Sequence, residues 1–172
     1  MQTYRINLIA QRPRRAFTLI ESALVTVIVG LGVVAMLELL ANGTRANADS
    51  TELTTAVHLA RNVRELTLGL AFYDPADPTH WGAESGETLT TYDDVDDLDG
   101  KAFTPPIDAR RQLLTAYAGW QQTVTVESAD VNRLTLSVPK GSQPVNRVTV
   151  VISHHNRAVY RTSWLAVDAI PD

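Results

Sequence analysis

Asp93, Asp94, Asp96, Asp97 and Asp99 place five carboxylates within seven residues, the densest run of chemistry-bearing side chains in the sequence. Carboxylate oxygens suit a hard cation, and calcium takes about six to eight of them, so this run is the candidate Ca2+ site, with Gly100 supplying a tight turn. The EF-hand pattern does not fit. With Gly100 at the glycine position of that loop, Val95 falls where the first ligand belongs and Pro106 where the bidentate glutamate belongs. Three readings stay open: a weak calcium site, a contact surface for a basic neighbour, or an acidic loop held in solvent.

The histidines offer less. His58 has no second ligand three or four residues away, which leaves it a solvated or capping residue. His154 and His155 are adjacent, and adjacent strand residues point to opposite faces, so they read as a hairpin tip rather than a chelating pair. The chain has no cysteine, which removes disulfides, thiol catalysis and cysteine-ligated metals. No nucleophile elbow, zinc-protease helix, P-loop or dinucleotide fingerprint occurs, so an enzyme is not expected.

A single acid stands out for a different reason. Glu21 lies near the start of FTLIESALVTVIVGLGVVAMLELL, residues 17–40, in which Glu38 is the only other charge. An acid at depth in a bilayer costs on the order of 2.5–3.5 kcal/mol. It is tolerable at the interface, or where a positive group meets it inside an assembly. No base follows until Arg45, so that partner would come from another chain.

The elements that must carry these residues follow from composition. Residues 1–16 hold Arg5, Arg12, Arg14 and Arg15 and no acid; the other 156 residues carry 11 bases against 19 acids, a balance of −8. Nine of those acids lie in residues 74–100, where no Lys or Arg occurs. A formal charge of −4 and no basic face argue against direct nucleic-acid binding. As a helix, residues 17–37 span about 30 Å, enough to cross a hydrocarbon core. The arginines before that segment, against Arg45 alone in residues 41–60, place the leader in the cytoplasm and the body outside.

Arg14-Arg15-Ala16-Phe17-Thr18-Leu19-Ile20-Glu21 followed by an apolar run resembles the class III signal of type IV pilins and type II secretion pseudopilins. The resemblance covers residues 12–70. It implies a leader, residues 1–16, cut between Ala16 and Phe17 by a prepilin peptidase, with the new Phe17 amine methylated. It also implies that Glu21 pairs with a neighbouring subunit's N-terminal amine, so that partners are other pilin or pseudopilin subunits and the inner membrane. Ala16 departs from the family's usual glycine, although it is also small. A twin-arginine signal and an A-x-A cut at Ala46-Asn47-Ala48 fit less well, because Glu21 interrupts the apolar run and that run exceeds the usual signal length. Gly30 and Gly32 are either ordinary membrane-helix glycines or local softness of the kind that filaments of this family use. The absent C-terminal cysteine pair favours a minor pilin or pseudopilin, and residues 92–100 look like an acidic motif of minor pilins of the mannose-sensitive haemagglutinin type.

Beyond the apolar segment, Asn42-Gly43 is expected to kink or fray the helix. An amphipathic half then runs over 41–73, with Leu53, Val57, Ala60, Val63 and Leu70 as its stripe and Ala56, Leu66 and Thr67 filling it. Asp74-Pro75 is expected to end it. Residues 74–112 form an acidic loop, a subunit-contact surface in the family. Residues 113–172 form the sheet, with strands at 120–126, 131–138, 147–153 and 158–167. The expected fold is α+β and pilin-like: a long N-terminal helix, membrane-spanning in its first half, packed on a four-stranded antiparallel meander. The expected function is that of a filament subunit at the bacterial inner membrane. The competing expectation is an unprocessed, single-pass anchored domain whose acidic loop binds a ligand or Ca2+.

Overall fold

The computed structural model describes residues 18–168. It divides into two units, Met1–Asn47 and Ala48–Asp172. Helix α1, Leu19–Thr67, is common to both. Asn42-Gly43 does not interrupt it. A glycine costs on the order of 1 kcal/mol in a helix interior. Breaking a 49-residue helix there would require a second nucleus, which is the less favourable choice.

In the first unit every residue of α1 from Leu19 to Asn47 is exposed. An 18-residue window has a mean hydropathy of 2.5 and no buried residue, so by length and composition this helix is able to cross a membrane.

In the second unit α1 buries Ala56, Leu59, Ala60, Val63, Leu66 and Thr67. These recur at intervals of three and four, one face of a 3.6-residue period. Leu59 belongs to this face. Leu53 and Val57, expected in the stripe, stay 47% and 41% exposed. The helix stops at Thr67, short of Asp74-Pro75. There the Thr67 hydroxyl donates to Arg64 O, Gly69 N closes a tighter turn on Leu66 O, and Ala71 pairs with Asp94 in an isolated parallel bridge. The proline marks only the latest place at which the helix could have ended.

The sheet has five strands rather than four: β1 (Ala102–Phe103), β2 (Trp120–Asp130), β3 (Arg133–Ser137), β4 (Val145–His154) and β5 (Arg157–Val167). All pairings are antiparallel, in the order β1-β2-β4-β5, with β3 paired to β2 alone. The expected meander is therefore corrected, because β4 takes β2 as its partner, with Val124 opposite Val150 and Val126 opposite Val148. Those valines, Ile152 and Trp120 face the α1 stripe and form the core with it. Leu134 and Leu136 of β3 alternate as expected but remain exposed.

One edge of β2 is assembled in pieces. Val124 N donates to Lys101 O next to β1, Val126 N donates to the Asp99 carboxylate, and Ser128 O accepts from Val138 N beyond β3. Residues two apart present their backbone groups to the same side, so the Asp99 side chain fills a ladder position that no strand supplies.

Candidate functional site

In the first unit, the described residues begin one position after Phe17. The expected cleavage between Ala16 and Phe17 and the expected methylation of Phe17 therefore fall outside them. Glu21 is in the first turn of α1 and exposed. Its N–H donates to Thr18 O at 3.1 Å and Thr18 Oγ1 at 3.3 Å, and Ser22 N also reaches Thr18 O. Thr-x-x-Glu is the spacing of a capping box, and an acid near a helix N-terminus meets the positive end of the helix dipole. Glu21 thus has a local place at the start of the helix in the isolated chain.

In the second unit, the acidic run is buried rather than solvated. Asp94, Asp96 and Asp97 are buried, while Asp93 is exposed and Asp99 partly so. Tyr92, Val95 and Leu98 are inserted in the core at every third position, the period of a 3-10 turn, which covers residues 96–98. These apolar anchors carry the carboxylates inward with them. The acids then accept from the turn itself: Asp94 Oδ1 from the N–H of Asp96 (2.9 Å) and Asp97 (3.1 Å), Asp97 Oδ2 from that of Asp93 (2.9 Å) and Asp94 (3.3 Å). Asp96 Oδ1 accepts from Gly82 N at 2.8 Å. Gly100 closes the following turn at φ +70°, as expected, with Lys101 N on Leu98 O.

The five aspartates do not converge on one point. Asp99 faces β2, where Lys140 Nζ (2.6 Å), Trp81 Nε1 (3.2 Å) and Val126 N (3.0 Å) all donate to it. Burial alone would raise its pKa, but these donors outweigh burial and hold the carboxyl below its ordinary value. Two groups of three do gather ligand atoms within 4.8 Å: Asp93, Asp94 and Asp97, and Glu84, Glu87 and Asp97.

The two glutamates escaped the sequence reading. Glu84-Ser85-Gly86-Glu87 is a tight turn, with Glu87 N on Glu84 O and Gly86 at φ +99°. The positive φ at its third position needs glycine, so E-x-G-E was the available signal. The turn brings both side chains to Asp97. The Asp74 carboxyl beside Glu84, then that of Glu87, then burial push the Glu84 pKa up to about 8.

Burial, then the neighbouring Asp96, lift the Asp94 pKa to about 7, and burial raises Asp96 and Asp97 as well. A carboxyl whose pKa is higher folded than unfolded stabilises the fold at low pH, and that contribution is lost as pH rises through the folded value. Asp99 acts in the opposite sense and its contribution is lost only below about pH 4. With chelator present, the melting temperature should therefore be highest between about pH 4 and 6 and fall towards pH 8. Asp94→Asn should flatten the alkaline side. A thermal melt followed by tryptophan fluorescence reads both, and a parent profile level from pH 5 to 8 contradicts the expectation.

His58 is exposed, as expected of a solvated residue. His154 and His155 do come together, with ring centroids 4.2 Å apart, because His155 at φ +48° leaves the alternating geometry of a strand. His154 Nδ1 is bound to Glu52 Oε1 of α1 at 2.7 Å and its ring stacks on Trp120. Arg157 also reaches Glu52, so this cluster ties the β4–β5 hairpin to the helix. Among family models, curated proteins and solved structures, none matches the chain.

Proposed function

We propose that the chain is a structural subunit of a type IV pilus or type II secretion-like filament, in the role of a minor pilin or pseudopilin. The observation that carries this reading is a helix whose apolar first part, residues 19–40, is exposed throughout and has an acid in its first turn, preceded in sequence by Arg14-Arg15-Ala16-Phe17. A helix apolar on every side requires lipid or other helices around it. In this reading it is first the inner-membrane anchor, with the body outside the cytoplasm, and then the packed centre of the filament. Prepilin peptidase exposes the Phe17 amine, and Glu21 of one subunit neutralises that amine on the next. A buried carboxylate is stable only when so paired.

Mass spectrometry of the chain purified from membranes tests the proposal. The expected species starts at Phe17 and carries one extra methyl group on its amine. Recovery of the intact chain from Met1 instead identifies an unprocessed, membrane-anchored domain.

A further inference from the structure

We propose that Glu84, Glu87 and Asp97 hold a calcium ion in the loop ahead of the sheet. One ligand oxygen from each lies within 4.8 Å of the others. Calcium–oxygen bonds of about 2.3–2.6 Å put opposite ligands about 4.6–5.2 Å apart, so these three fit one coordination sphere without rearrangement. Magnesium closes that span to about 4.0–4.2 Å and gives up its water reluctantly.

The second observation is an orphaned atom. Asp97 is 0% exposed, and its Oδ1 is buried without a hydrogen-bond partner. Its Oδ2 is held by the N–H groups of Asp93 and Asp94, which fixes the carboxylate and leaves Oδ1 free to bind. Glu84 Oε1 is likewise buried without a hydrogen-bond partner, with His80 Nε2 3.7 Å away. Among the described residues no Lys or Arg pairs with any of the three acids. Buried carboxylate oxygens without donors are costly, and a divalent cation supplies the missing ligation.

The other trio is less suited, because Asp94 Oδ1 and Asp97 Oδ2 already accept two backbone N–H groups each. Asp99 is neutralised by Lys140. The site thus combines one member of the aspartate run with two glutamates from the preceding turn, and it does not depend on how the N-terminal helix is used.

Calorimetric titration of the full chain in detergent, stripped with EDTA, is the test. Calcium chloride should give saturable one-to-one binding with Kd of about 0.1–1 mM, the range of extracellular calcium modules, and should raise the melting temperature. Glu87→Gln, at a half-exposed position that leaves the fold intact by circular dichroism, should weaken binding about tenfold or more, as should Asp97→Asn. Asp93→Asn should leave affinity within about twofold, since its carboxylate lies outside the trio. The proposal is overturned if 10 mM calcium (roughly ten times the weakest expected Kd) gives neither saturable heat nor a shifted melt. It is equally overturned if magnesium reproduces the calcium response, or if Glu87→Gln binds as the parent does.

Discussion

Gln122→Leu should destabilise the body by about 2–6 kcal/mol, the largest loss expected from any single exchange of similar size. Gln122 is fully buried near the start of β2. Its Oε1 accepts from Ile107 N at 2.8 Å, and its Nε2 donates to Leu59 O at 2.8 Å and to Ile107 O at 3.1 Å. One amide therefore satisfies the incoming loop and joins it to the helix. Leucine fills the volume but leaves both polar groups of Ile107 without a partner. Each such orphan costs about 1–3 kcal/mol, whereas Leu59 O retains its place in the helical ladder. Urea unfolding of the full chain in detergent, followed by the emission of Trp81, Trp120 and Trp164, measures the loss. A change below about 1 kcal/mol would show that water replaces the amide at Ile107.

On the proposed filament role, Glu21→Ala should lower incorporation into filaments by roughly 100-fold or more while leaving the melting of the body unchanged. Removing one member of a buried ion pair costs about 3–5 kcal/mol, because the other charge remains. Removing an exposed acid from a helix N-terminus costs only about 0.3–1 kcal/mol. The proposed pairing and the helix-end effect of Glu21 therefore separate by size. Glu21→Asp keeps the charge on a shorter arm and should fall between Ala and the parent. Thr18→Ala removes the cap alone and should assemble close to the parental level. The amount of chain in sheared filaments, relative to that in membranes, reads all three. Parental assembly by Glu21→Ala would reduce the residue to a helix cap.

The parts of the fold that were legible in the sequence are those governed by local period. Val124, Val126, Val148, Val150 and Ile152 alternate, and all five are buried on the core face. Ala60, Val63 and Leu66 recur at helical spacing and are buried. The rest depended on partners distant in sequence. β1 is two residues long and exists because β2 has an edge for it. For the aspartate run three readings stayed open, a solvated loop among them, because its charges are local, while the reason for its burial, Tyr92, Val95 and Leu98 reaching the core, is tertiary. Of the metal candidate, only Asp97 was in view. Glu84 and Glu87 lie ten or more residues upstream and needed the Gly86 turn to arrive. Gln122 carried no signal, since a glutamine in an alternating strand gives no sign of which carbonyls await it.

β5 closes the sheet and, among the described residues, pairs only with β4. Its outer side is a row of amide groups that a neighbouring molecule's strand could extend. Arg157 and Arg161 are exposed on this strand, and any such addition has to strip water from their guanidinium groups. Charged side chains on an edge strand disfavour such pairing between like molecules. Exchanging Arg161 for valine would take one of those charges off the strand while sparing the Arg157–Glu52 tie, and would make a population of folded bodies sticky.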